Sequence, residues 1–194
     1  PVRTDCGSVM EDPSDEQLVE KARSGAVEAF GRLVRRHMDG IYRLAYSITR
    51  NHADADEVAQ DSFLKAYRGL DSFQGRSEFR TWLYRIAVNT GLNHARRSGT
   101  PQAIGQAEQA GPVADRSSDA DPANAAETSE LRAHFEAAIT RLPEELRVTF
   151  DLVVFQGLSH EEAGEVLECP RNTVSWRVFR AREILREELS EFLN

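Results

Sequence analysis

An all-α fold in two small helical domains is what this sequence predicts, and three observations predict it. Apolar residues recur at helical spacing over long windows, with no strand-period alternation anywhere. Capping signals stand at the heads of several of those windows. A 29-residue stretch from Ser98 to Ala126 then divides the chain, with only Ile104 and Val113 as sizeable apolar side chains. At 194 residues and 40% hydrophobic, the chain can bury one medium core or two small ones. The expected organisation is a disordered N-terminal tail (1–14), a first domain (15–97), a flexible linker (98–127) and a second domain (128–194).

The elements follow in order. Ser14 and Gln17 have capping-box spacing ahead of Leu18, Val19 and Ala22, and Gly25 punctuates that first helix. From Val27, the residues Phe30, Leu33, Val34, Met38, Ile41, Ala45 and Ile48 mark a long amphipathic helix ending near Asn51, with Arg32, Arg35, Arg36 and Arg43 on its other face. Asp54 is expected to open the next helix, where Asp56 and Glu57 suit the positive end of the dipole. Its packing side is Val58, Ala59, Ser62, Phe63, Ala66, Tyr67 and Leu70. A loop from Asp71 to Gly75 leads to Ser77, expected to cap a helix reaching Arg97.

The stretch after Ser98 cannot bury enough surface to offset its ordering entropy. As a linker it has a coil span of roughly 30 Å and a taut reach of about 100 Å. Beyond it, Leu131, Phe135, Ala138, Ile139 and Leu142 make a helix, and Pro143 suits the first turn of the next. Leu146, Thr149, Phe150, Val153 and Val154 form that stripe, ended by Gly157. Ser159 and Glu162 form a capping box for a short helix through Glu168. A turn at Cys169–Asn172 then precedes a last helix to about Leu193. Two helices joined by such a turn read as a helix-turn-helix.

Charge is unevenly spread. The net −8 resolves into −3 over residues 1–15, +4 over 16–97, −10 over 98–170 and +1 over 171–194. Positive charge gathers on the 77–97 helix and on the last helix. Since affinity for nucleic acid tracks the phosphates neutralised, the isolated chain should bind DNA weakly and be brought there by something else. The start of the chain lacks a signal peptide's basic and apolar regions, and no apolar run approaches a membrane span, so a cytoplasmic location is expected. Cys6 and Cys169 make no disulfide framework or metal pair, and the five histidines stand apart, so neither metal nor cofactor is expected.

Two constellations carry chemistry. On the 77–97 helix, Phe79, Trp82, Leu83, Ile86 and Thr90 share one face, flanked by a stripe of Arg85, Asn89, Asn93 and Arg96. Asn can read base edges, Arg holds phosphate and aromatic rings stack unpaired bases. The loop from Phe73 to Arg76 could wall a pocket for an extruded base. The same spacing also suits Asn residues that only solvate a structural helix. On the last helix, Val174, Val178, Ala181, Leu185, Leu189 and Phe192 face inward, while Asn172, Trp176, Phe179 and Arg180 face out. Exposed aromatics beside Arg suit a major-groove reader, although Trp176 could instead pack against the other domain or a partner.

The segments ADADEVAQDSFLKAYRGLDSFQGRSEFRTWLYRIAVN, LPEELR and GLSHEEAGEVLECPRNTVSWRVFRARE resemble the extracytoplasmic-function (ECF, group 4) sigma factors of bacterial RNA polymerase, in family order from Asp15 to Leu189 with the linker excepted. The resemblance implies a sigma-2 domain over 15–97 and a sigma-4 domain over 128–194. It implies that Asp56, Glu57, Gln60, Phe63 and Leu64 dock on the beta-prime clamp helices of core polymerase. Phe73, Gln74, Arg76, Ser77, Arg85, Asn89, Asn93 and Arg96 would melt and read the -10 element. Arg171, Asn172, Thr173, Ser175, Trp176, Arg177, Phe179 and Arg180 would read the -35 element. It further implies contact with the beta flap and control by an anti-sigma factor anchored in the membrane. Glu57 stands where Asp is usual, Ala163-Gly164 where Ile-Ala is usual and Asn172 where Gly is usual, and Ser175 and Trp176 occupy positions often basic or small. The family's -35 preference therefore does not carry over.

Two rivals remain. An enzyme lacks its parts: there is no glycine-rich phosphate loop, no metal spacing and no Ser/His/Asp arrangement. A helix-turn-helix regulator with a helical sensor domain would fit the C-terminal half alone. The segment from Phe79 to Asn93 discriminates, because such a regulator needs no single-strand reader.

Overall fold

A computed structural model describes residues 12–98 and 133–190. Every regular element in them is helical. The expected tail end (12–14) belongs to the fold, because Arg36 bonds Asp12 at 2.6 Å and the Pro13 carbonyl at 2.9 Å. Residues 1–11 and the linker from 99 onward lie outside the described residues.

Helix α1 (Asp15–Arg23) begins with both halves of the capping box, Gln17 N to Ser14 Oγ at 3.4 Å and Ser14 N to Gln17 Oε1 at 3.2 Å. Helix α2 (Val27–Thr49) is the central rod of the first domain and stops at Arg50, whose φ of 57° is left-handed. Helix α3 (His52–Gly69) starts earlier than Asp54: Asn51 is the cap, accepting from the Asp54 amide at 3.0 Å. A 3-10 turn (Leu70–Ser72) and a loop lead to α4 (Phe79–Arg97). Ser77 does not cap α4. Glu78 holds that position without a side-chain bond, so only backbone geometry turns the chain into the helix.

The second unit comprises α5 (133–141), α6 (Glu144–Phe150), a π-helical turn (Asp151–Phe155), α7 (His160–Leu167) and α8 (Arg171–Leu189). Pro143 sits one place before α6, as its cap. The π turn inserts an extra residue, with the Gln156 amide bonding the Asp151 carbonyl at 3.0 Å. The stripe is thereby rotated: Asp151 and Leu152 are buried, while Val154, expected on the packing face, is exposed. Ser159 and Glu162 make both capping-box bonds of α7. Helix α8 ends at Leu189, with Ser190 as its C-cap, four residues short of the expected end near Leu193.

The two units share one core. Leu33, Ile41, Leu44, Phe79, Leu83 and Val88 of the first are continuous with Val148, Leu152, Leu158, Val166, Val174 and Val178 of the second. A satellite cluster of Ala138, Leu142, Leu146, Phe150, Ala181 and Leu185 holds α5 and α6 to α8. The helix ending at Arg50 leaves the Ser47 carbonyl without an intrahelical partner. The buried Arg147 guanidinium fills that need across the junction, donating to Ser47 O at 2.6 Å and to Leu142 O at 2.7 Å. Burial, with Arg50 nearby, brings the Arg147 pKa down to about 10.

Candidate nucleic-acid and polymerase interfaces

Helix α4 presents the expected stripe. Arg85, Asn89, Asn93 and Arg96 are all exposed, while Phe79, Leu83, Ala87, Val88 and Thr90 face inward. Trp82 and Ile86 are only partly buried. In the loop before α4, Gln74 and Arg76 are exposed and Ser77 is half-buried. Phe73 is different. Its ring lies in the core, 5.0 Å from Trp82 and 6.0 Å from Phe79 between centroids, so it anchors the loop instead of offering its side chain to a base.

The lower half of the stripe looks onto the second unit. Arg85 pairs with Glu168 on the α7 side at 2.7 Å. Asn89 borders a groove of about 240 Å³ whose other wall carries Glu144, Glu145, Glu168 and Arg177. Deeper in the junction, Tyr84 donates to Gln156 Oε1 at 2.8 Å and Gln156 Nε2 donates to Asp151 Oδ1 at 2.9 Å. Arg80 and Thr81 both approach the Glu162 carboxylate, at 3.8 and 3.5 Å. Gly40 makes this fit possible, since a Cβ there would lie 2.4 Å from the Tyr84 hydroxyl. Asp151 is driven up to about 6 by burial, against the opposing Gln156 bond and the Arg43 charge. Burial, aided by Asp151, likewise pushes the Tyr84 hydroxyl up to about 12. This buried polar junction had no signature in the sequence.

Helices α7 and α8 form the helix-turn-helix. Glu168, at φ 53°, makes the turn, and Gly164 lets it close, because a Cβ there would lie 2.8 Å from the Cys169 carbonyl. Trp176 and Phe179 on α8 are each 61% exposed, which rules out packing of Trp176 against the first unit in this arrangement. Arg171, Asn172 and Arg180 are exposed beside them, with Thr173 half-buried. Ser175 is engaged by His160 at 2.8 Å. Arg177 is half-buried and pairs with Glu145 at 2.7 Å.

On α3, Asp56, Glu57, Gln60 and Leu64 are exposed, Leu64 at 52%. Phe63 is not part of that face: at 5% exposure it belongs to the bundle core, one residue round the helix from Leu64. Tyr67, expected on the packing side, is 48% exposed and meets Phe30 edge-on at 4.9 Å. Its helical spacing from Gln60 and Leu64 was the available clue. Leu64 and Tyr67 thus put two large apolar side chains on one exposed stripe of α3. Among the described residues no His, Cys, Asp and Glu cluster could hold a metal ion, and no helix is long and apolar enough to cross a membrane.

A helical unit with an exposed Asn/Arg stripe, joined to a helix-turn-helix with an exposed aromatic face, has the form of a DNA-binding transcription protein. Comparison with known proteins specifies it. Residues 33–100 match the family model of Sigma-70 region 2, and residues 132–185 match that of Sigma-70, region 4. The RNA polymerase sigma-H factor of Pseudomonas aeruginosa is 40% identical over 185 residues, covering 92% of this chain and 95% of that one. The ECF RNA polymerase sigma-E factor of Escherichia coli K12 is 38% identical over 188 residues, covering 93% and 96%. Among solved structures, CnrH in complex with the cytosolic domain of CnrY aligns at a TM-score of 0.67 and 29% identity, over 91% of this chain and 97% of that one. The sigma factor RpoE in complex with the anti-sigma factor NepR from Bartonella quintana also aligns at 0.67, with 25% identity over 83% and 96%. The chain belongs to the ECF sigma factors of RNA polymerase, which direct promoter-specific initiation of transcription.

Proposed function

We propose that three surfaces divide the work of this sigma factor. The α3 stripe of Asp56, Glu57, Gln60 and Leu64, extended by Tyr67, docks on the beta-prime clamp helices. The α4 stripe of Arg85, Asn89, Asn93 and Arg96, with Gln74, Arg76 and Ser77 of the loop, melts and reads the -10 element. Helix α8 reads the -35 element through Arg171, Asn172, Trp176, Phe179 and Arg180, with Thr173 and Ser175 at its margin. The carrying observation is that apolar Trp176 and Phe179 stand bare beside basic residues at the start of a helix-turn-helix reading helix. The chain lends specificity while the polymerase performs the chemistry, and it works in the cytoplasm.

Regulation by an anti-sigma factor is supported by the anti-sigma complex among its structural relatives. In the packed chain Arg85 and Asn89 face the second unit, and the two elements lie roughly 50 Å apart along DNA, so the units separate when the chain is on polymerase. Run-off transcription with purified core polymerase and this chain, on genomic fragments, tests the proposal. New start sites dependent on the chain are expected, and their absence would refute it.

A further inference from the structure

Helix α1 lies before the stretch matching Sigma-70 region 2, and none of the surfaces above uses it. Its last residue nevertheless reaches the loop proposed to receive an unpaired base. The Arg23 guanidinium donates from Nε to the Leu70 carbonyl at 3.0 Å and from Nη2 to the Asp71 carbonyl at 3.1 Å, and Nη2 also bonds the Phe73 carbonyl. The remaining nitrogen, Nη1, lies 3.9 Å from Glu20. The Leu70 carbonyl already accepts the Phe73 amide at 3.2 Å, closing the 3-10 turn, and the Arg23 fork adds bonds there and at the Asp71 and Phe73 carbonyls just past the C-terminal end of α3, where a cation is favoured. Three carbonyls within four residues converge on one planar fork, a geometry that a lysine ammonium cannot reproduce.

The loop is therefore held twice. Its Phe73 ring is wedged against Phe79 and Trp82, and its backbone is gripped by Arg23, leaving Gln74, Gly75 and Arg76 projecting. Gly75, at φ 65°, supplies the reversal between these anchors and the start of α4. The far end of α1 is pinned as well, since Asp15 bonds both Arg36 and His37 on α2. Helix α1 is thus a strut between the α2 rod and the loop.

We propose that Arg23 is a positioning residue for -10 reading, fixing the Gln74–Arg76 segment in the conformation that accepts an extruded base of single-stranded DNA. This rests on the -10 role proposed for the loop. A loop free to sample many shapes must be ordered on binding, and that cost appears as lost affinity.

The test uses holoenzyme assembled with wild-type, Arg23→Lys or Arg23→Gln full-length chain. The probe is a single-stranded oligonucleotide selected from a randomised pool by the wild-type holoenzyme, measured against its scrambled counterpart. In both variants the preference for the selected strand should fall about tenfold, the scale of losing one or two net hydrogen bonds. Amide exchange at residues 74–77 of the free chain should quicken. Binding to duplex carrying the upstream element should stay at its wild-type value, and the melting temperature should fall by no more than a few degrees, the scale of losing the same bonds. Variants that discriminate like wild type would overturn the role of Arg23 alone, as would unchanged loop exchange. Equal losses in duplex and single-strand binding would make Arg23 a merely structural residue. A wild-type holoenzyme that selects no strand would overturn the -10 assignment of the loop itself, and the proposal with it.

Discussion

Asp151 makes the packing of the two units sensitive to pH, in a direction that can be worked out. Its carboxyl is buried at the junction, facing Tyr84 of α4 and Arg43 of α2 and bonded by Gln156, and its pKa rises from 3.8 to about 6. Once the units separate, the carboxyl regains water and its ordinary value. The packed form holds the proton more tightly, so packing gains strength as pH falls through about 6, and the gain is complete below 3.8. As pH rises through about 6 the gain is lost. Over the whole range the shift corresponds to about 3 kcal/mol. Between pH 7.5 and 5.5 it amounts to roughly fourfold in the packing equilibrium, or about 1 kcal/mol.

Arg85 and Asn89 face the second unit when packed, so the free chain should bind single-stranded -10 DNA in proportion to its separated fraction. Fluorescence anisotropy at constant ionic strength should show about fourfold weaker binding at pH 5.5 than at pH 7.5. Asp151→Asn keeps the shape and the Gln156 bond without a titrating proton. That variant should bind weakly at both pH values, and small-angle scattering should show it compact at both. A wild-type chain that binds more tightly at the lower pH, or an Asp151→Asn chain with the wild-type pH response, would refute the reasoning.

The surfaces yield further predictions. In holoenzyme, Asn89→Ala and Asn93→Ala should weaken single-strand -10 binding by about 1 to 3 kcal/mol per base contact while barely changing duplex binding; equal losses on both substrates would mark a structural role. Gln60→Ala with Leu64→Ala should reduce capture by the beta-prime subunit without lowering the melting temperature, because both side chains are exposed. Phe63→Ala should instead destabilise the fold by about 3 to 5 kcal/mol, read by denaturant titration. Trp176→Ala and Phe179→Ala should weaken upstream duplex binding in a gel-shift assay and leave stability unchanged. Replacing the linker with Gly/Ser of equal length should preserve transcription, whereas cutting it to about 10 residues, a taut reach near 35 Å, should abolish use of the upstream element.

Much of this molecule is written locally. The capping boxes at Ser14 and Ser159, the 3.6-residue stripes and the Arg85–Asn89–Asn93–Arg96 flank depend on residues a turn or two apart, so spacing alone exposed them. Periodicity failed where a neighbour decides the face. Phe63 and Leu64 are adjacent in sequence and comparable in hydrophobicity, yet only the packing of the bundle makes one core and the other surface. Phe73 looked like a loop aromatic available to a base until Phe79 and Trp82 closed over it. The π turn at 151–155 changed the phase of a stripe in a way no helical wheel anticipates. The tertiary structure alone decided that two expected domains would share a core, because that junction is built from Arg147 meeting Ser47 and Tyr84 meeting Gln156, pairs 100 and 72 residues apart. A buried carbonyl left over at a helix end and a guanidinium far along the chain satisfy each other only after the chain has folded, so no local pattern in the sequence announces them.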